Sequence, residues 1–156
     1  MRIRKDRRAV LAAFVLALCV GGVSAVLYSN TLTNSVSLEA VYPIALSWAS
    51  GTGPSGSAFA VMPMTDTLQV ENLAGQNINM YLVFQMTVPT GADASDFYIK
   101  IEGSVLTFTL SGTVYECVWD AGGITQHQTK TYSFEWGFYE TSELGAYSLD
   151  IFADSY

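Results

Sequence analysis

The chain has 156 residues, half of them hydrophobic and 13% charged, with 14 acidic side chains against seven basic ones. That length suffices for one domain with a sizeable core. Five of the seven basic residues (Arg2, Arg4, Lys5, Arg7 and Arg8) precede Ala9, so the chain beyond Ala25 holds only Lys100 and Lys130 against 13 acids, a net charge of −11 over 131 residues. Such a surface repels phosphates and anionic lipid, which argues against nucleic acid or a membrane surface as a partner.

The basic start is followed by an apolar stretch, Ala9 to Val20, and by Gly21-Gly22-Val23-Ser24-Ala25. These are the three regions of a secretory signal helix. Val23-Ser24-Ala25 fits small-x-small cleavage, so the expected cut lies between Ala25 and Val26. The alternative is an uncleaved anchor, since the 17 residues Ala9 to Ala25 are at the short end of what spans a bilayer. Arg7-Arg8 resembles a twin-arginine signal, but Asp6 and the lack of a polar-basic continuation favour ordinary export. Leu18 is too large for a lipobox ending at Cys19. The membrane is therefore expected to matter only during export, and the protein to work in an extracellular or cell-surface setting. Loss of Cys19 with the signal leaves Cys117 alone, so no intramolecular disulfide can form. Cys117 sits in an apolar strand pattern, which predicts a buried thiol.

From Val26 the pattern has period 2. Val26, Tyr28, Leu32, Val36 and Leu38 share a face, with Asn30 and Asn34 between them, and Ser29, Thr31, Thr33, Ser35 and Ser37 share the other. Extended, residues 26–38 would reach about 43 Å at roughly 3.3 Å per residue, well beyond an ordinary strand. Two readings stay open. The segment is the domain's own first strand, bending between two sheets, or its first half leaves the domain and adds to a neighbour's sheet edge. Head-to-tail addition of that kind makes filaments unless the rotation closes a ring.

The remaining strands follow in order. Thr67 to Asn72 places Leu68 and Val70 together, and Asn77 to Val88 aligns Ile78, Met80, Leu82, Phe84, Met86 and Val88. Phe97, Ile99 and Ile101 form the next inward set, then Leu106, Phe108 and Leu110. Ser111-Gly112 reads as a two-residue turn into a strand over 113–119. Tyr132, Phe134, Trp136 and Phe138 share a face, as do Tyr147, Leu149, Ile151 and Ala153. Turn chemistry separates these runs at 51–56, 89–94, 120–123 and 143–145. No convincing 3.6-residue period occurs past Ala25. Seven or eight strands predict an all-β antiparallel sandwich, jelly-roll or Ig-like. The expected organisation is a signal peptide over 1–25, an N-terminal strand segment over 26–38 and a sandwich over 39–156.

Nothing in the sequence predicts catalysis. His127, the lone histidine, lies in the polar stretch Thr125-Gln126-His127-Gln128 and reads as a loop residue. No His-Glu-x-x-His or Gly-x-Ser-x-Gly occurs. Asp93 with Asp96, and Glu140 with Glu143, lie in loops where calcium could be held, but neither pair has the ligand density of a dedicated site. No cofactor or metal is expected. The aromatic row from Tyr132 to Phe138 could serve as a sugar platform if exposed, or as core if buried, and alternation with Ser133, Glu135 and Gly137 favours core.

The stretch Leu27-Tyr28-Ser29-Asn30-Thr31-Leu32-Thr33-Asn34-Ser35-Val36-Ser37 resembles the mature start of the TasA/camelysin group and of related archaeal bundling pilins and threads. Leu68 to Tyr81 is similar to that group's strand, Asn-x-Gly-type turn and strand, although the turn Asn72-Leu73-Ala74-Gly75 is longer than usual. Gly145 to Ile151 is similar to its closing strand. The resemblance implies a jelly-roll-like subunit of a cell-surface fibre, biofilm matrix or pilus, whose partner is a further copy of itself. It also implies that Val26, Tyr28, Leu32 and Val36 are the inward-facing residues of a donated strand. A type IV pilin does not fit, because Arg8-Ala9 is a poor cleavage site and no amphipathic helix continues past Ala25. The alternative function is a secreted or membrane-anchored monomeric binding module, an adhesin or carbohydrate binder.

Overall fold

The structure is a computed structural model and describes residues 32–40, 43–54, 56–58, 63–140 and 142–155. The expected signal segment 1–25 and the expected cleavage site at Ala25 and Val26 lie outside the described residues, as does Tyr28. Among the described residues no helix is long and apolar enough to cross a membrane.

The described chain is all-β. Its strands are β1 (Leu32–Ala40), β2 (Ile44–Trp48), β3 (Gly56–Ala58), β4 (Met64–Asn72), β5 (Ile78–Thr87), β6 (Phe97–Ile101), β7 (Ser104–Val105), β8 (Thr109–Ser111), β9 (Val114–Ile124), β10 (Thr129–Phe138) and β11 (Ala146–Ser155). Two sheets pack as a sandwich, one ordered β3-β1-β11-β5-β9-β8 and the other β2-β4-β10-β6-β7. The long strands alternate between sheets along the chain: β4 to β5, β5 to β6, β9 to β10 and β10 to β11 each cross the core. Almost all pairing is antiparallel, but β1 runs parallel to β11.

The period-2 sets become the two inner walls. Met80, Leu82, Phe84 and Met86 of β5 lie beside Leu149, Ile151 and Ala153 of β11, all buried. Facing them are Leu68 and Val70 of β4, Ile99 and Ile101 of β6, and Tyr132, Phe134, Trp136 and Phe138 of β10. Edge-on ring contacts knit the walls: Phe138 meets Tyr147 at 4.7 Å and Trp119 meets Tyr132 at 5.1 Å between centroids. Each such side chain contributes about 1.5–3 kcal/mol by leaving water. The aromatic row of β10 is thus core, and no sugar platform.

Four expectations about local structure change. First, the run 106–110 is not one strand: only Thr109 and Leu110 lie in a strand, β8, and Leu110 is exposed rather than inward. β7 belongs to one sheet and β8 to the other, and Leu106, whose N–H bonds Ile99 O at 2.8 Å, sits in the crossing between them. Alternation alone cannot reveal a strand that changes sheet. Second, Ser111 pairs with Val114, so the hairpin turn is Gly112-Thr113, one residue later than Ser111-Gly112, with Gly112 supplying the positive φ of 66°. Third, Asp120 to Gly123 is no turn but a bulge within β9, where the register to β5 skips Ala121 between Met80 and Tyr81. Gly122 takes φ 71° there and its N–H bonds Asp120 Oδ1 at 2.8 Å. Fourth, Cys117 is half-buried rather than buried, packed against the rim of the core. The unforeseen hairpin between β6 and β7 turns on Glu102-Gly103, both at positive φ, as a two-residue primed turn requires.

Candidate functional site

The segment singled out in the sequence divides at Leu32, where a compact unit covering Leu32–Tyr156 begins. β1 spans the expected boundary between Leu38 and Glu39 and is held as a strand of its own chain. Its parallel ladder with β11 runs from Thr33–Ala146 to Ala40–Ala153, and β3 pairs with its start through Leu32–Ala58, Thr33–Ser57 and Asn34–Gly56. The expected donor residues therefore separate. Val26 and Tyr28 lie outside the described residues, Leu32 opens β1, and Val36 pairs with Leu149 within the chain.

β1 keeps the predicted alternation where its side chains are described. Val36 and Leu38 are half-buried against the core, and Ser35, Ser37 and Glu39 are exposed. Hydroxyl contacts fasten its outer face to β11. Ser35 Oγ donates to Ser148 Oγ at 3.2 Å, and Ser37 Oγ donates to Asp150 Oδ1. After Ala40 the chain passes through Pro43 into β2, on the edge of the opposite sheet; residues 32–38 themselves stay within one sheet.

β2 carries Ile44, Leu46 and Trp48 inward and Ala45 and Ser47 outward. It pairs antiparallel with β4 only, and among the described residues no strand lies outside it. Sequence reasoning passed over it, although Ile-Ala-Leu-Ser-Trp alternates cleanly after Pro43. Five residues gave too short a signal beside the longer runs.

Two buried polar residues bind the loops at opposite ends of the sandwich. Asn72 is fully buried: its Nδ2 donates to Gln76 O at 2.8 Å and Ile124 O at 3.2 Å, and its Oδ1 accepts from Ala74 N at 2.8 Å. Asp96 accepts from Asp93 N at 2.7 Å and Glu143 N at 3.0 Å. The two acidic loops noted in the sequence are thus brought together, with the Asp96 carboxylate occupied by backbone donors. Asp93 is held below the usual carboxylate range by hydrogen bonds from the Ser95 hydroxyl and N–H. Among the described residues no group of three or more His, Cys, Asp or Glu could hold a metal ion. His127 lies in the turn between β9 and β10 at φ 54°, exposed. Burial pushes the Cys117 thiol above its ordinary value, which makes it a poor nucleophile.

An open cleft of about 620 Å³ lies where β5 begins and β9 and β11 end, lined by Gln76, Asn77, Asn79, Gly123, Thr125 and Ser155. Its walls are amides and hydroxyls, and part of that polarity is already committed, since Asn77 Oδ1 accepts from Gln126 N at 3.0 Å.

No protein-family model matches the chain, and no curated protein is similar enough to count as a relative.

Proposed function

We propose that the protein is a secreted structural subunit of an extracellular filament, a pilus or biofilm fibre like those of the TasA/camelysin group it resembles, and no enzyme. Subunits join head to tail, each giving its N-terminal strand segment to the next. The observation that carries this reading is the course of the chain at Leu32. β1 lies near the sheet edge, with inward residues only half-buried. The residues before it continue the same alternation through Tyr28 and Val26, past the first residue of the compact unit. Val26 and Tyr28 are the side chains given away, and Leu32 and Val36 root the donated segment in its own domain. Main-chain hydrogen bonds supply most of the junction, and burial of Tyr28 adds roughly 2 kcal/mol at about 25 cal/mol per Å².

We read the sandwich as a jelly roll. With the short β2, β3 and β8 set aside, β1-β11-β5-β9 faces β4-β10-β6-β7. That is the order of two nested Greek keys, with the departure that β1 is parallel to β11. The net charge of −11 beyond Ala25 keeps finished fibres apart and soluble.

Electron microscopy tests this reading on the exported chain, collected after loss of its leader, beside a form lacking Val26 to Thr31. The deletion stops short of β1, so the domain keeps every described strand. Fibres from the first and folded monomers from the second are expected. Monomers from both would end the filament reading. They would favour the monomeric binding module, whose one structural support is the amide-lined cleft around Asn77 and Asn79.

A further inference from the structure

A sandwich with open edges must keep those edges from pairing at random. Among the described residues, three of its four edges are blunted. β3 and β8 have three residues each, and β7 has two. Beyond β8, the uncovered part of β9 carries the Ala121 bulge and the acidic Asp120. β7 follows the turn Glu102-Gly103, in which the Glu102 carboxylate accepts from Ser133 N.

β2 is different. Its five residues, Ile44-Ala45-Leu46-Ser47-Trp48, carry no charge, no proline and no bulge. Flanking bonds identify which of its backbone groups face away from β4, where no strand lies among the described residues. Leu73 N donates to Pro43 O at 2.7 Å and Ala49 N donates to Thr67 O at 2.9 Å. In an antiparallel ladder bonded pairs alternate, so Ala45 and Ser47 bond inward to Glu71 and Gln69 of β4. The N–H and C=O of Ile44 and Leu46 then point outward, together with Trp48 N, while Trp48 O accepts from Gly51 N at 3.0 Å. Leu46, like Val36 and Leu38 on β1, is only half-buried. An added strand would place its apolar side chains beside these three.

We infer that the outer edge of β2 is the acceptor for residues Val26–Thr31 of a second copy of this chain. The inference rests on the filament reading and names the surface it uses. Length supports the match: six residues lie between the expected cleavage site and the start of the compact unit, against five in β2. At about 3.3 Å per residue these are roughly 20 Å and 17 Å. Charge supports it too. In a domain of net −11, a donor whose one charge is the new α-ammonium of Val26, meeting an edge without charge, brings no carboxylates together. On the new pair, Tyr28 points toward the core and Ser29 toward solvent, level with Ala45 or Ser47.

Disulfide trapping in a Cys117→Ala background tests the assignment on the exported, processed chain. Ser29→Cys is combined with Ala45→Cys, with Ser47→Cys or, for the β8 edge, with Leu110→Cys. Residues 45 and 47 are non-bonded positions toward an incoming strand, where neighbouring Cα atoms come close enough to bridge. The expected result is filaments from the unmodified chain, and a reducible ladder of covalent multimers from one or both β2 pairs but not from the β8 pair. Ser47→Lys, which charges the edge without entering the core, should cut filament mass at least tenfold at an unchanged melting temperature. Filaments without a β2 ladder, or with a β8 ladder instead, would overturn the acceptor assignment and leave strand donation standing. Absence of filaments from the unmodified chain would overturn both.

Discussion

Asn72 offers the sharpest test of what holds the two sheets in register at their loop end. Its amide joins three stretches: the turn after β4 through Ala74 N and Gln76 O, the end of β9 through Ile124 O, and, by its own backbone N–H, the turn before β10 through Gln128 O at 3.0 Å. Asn72→Ala removes the side-chain partners of the half-buried Ala74 N–H and of two carbonyls, of which Ile124 O is buried. A buried polar group left unpaired costs about 1–3 kcal/mol, and some of these groups will recruit water, so the expected loss is about 2–4 kcal/mol. For a domain of this size that is a fall in melting temperature of roughly 6–14 °C. Asn72→Asp should cost more. It keeps the acceptor for Ala74 N but turns a carboxylate oxygen toward Gln76 O and Ile124 O, two carbonyls that can only repel it. The assay is urea unfolding followed by tryptophan fluorescence, with Asn77→Ala as the control, since Asn77 makes one exposed bond to Gln126 N. The control should move stability by less than about 1 kcal/mol. If Asn72→Ala moved the midpoint no more than the control, or if Asp were tolerated better than Ala, the hydrogen-bond account of this corner would be refuted.

Alkaline unfolding should track two tyrosines. Burial first, then the Glu102 charge, pushes Tyr132 up to about 12, and burial, then Asp96, Glu143 and Asp93, pushes Tyr147 up to about 12. The unfolded chain ionises both near 10, so their contribution is complete below about pH 10 and is lost as pH rises toward 12, roughly 2–3 kcal/mol for each. Phenolate absorbance recorded against far-ultraviolet circular dichroism should show these two ionising together with unfolding; early, independent ionisation of all tyrosines would contradict it. Gly137→Ala should cost about 1–3 kcal/mol, because a Cβ there would stand 2.3 Å from the Tyr98 hydroxyl and displace a ring that stacks on Tyr139 at 5.4 Å. A thermal melt within 1 °C of the parent would show that Tyr98 swings aside freely. Tyr28→Asp should abolish fibre growth seen by light scattering while leaving the melting temperature of the monomer within about 2 °C; a collapsed melting temperature would place Tyr28 inside its own domain.

The sequence by itself determined the all-β class and nearly every core residue of the long strands. The reason is that a half-buried strand must alternate, and β5, β10 and β11 do so over ten residues each. The aromatic row from Tyr132 to Phe138 was legible as core for the same reason. Period 2 says which face of a strand is inward but not which sheet the strand joins. The crossing from one sheet to the other over 106–108, the parallel pairing of β1 with β11 and the edge position of β2 were therefore decided only by tertiary contacts. So was the bulge at Ala121, where Asp120-Ala-Gly-Gly has the composition of a turn but pairing with β5 on both sides keeps it in the ladder. Buried polar hubs were hidden as well: Asn72 read as the end of a strand and Asp96 as a loop residue until the fold brought distant carbonyls and N–H groups to them. A single sequence records the chemistry each residue can offer. Which partner takes up that offer depends on chain segments tens of residues away, and only the packed sandwich brings them within bonding distance.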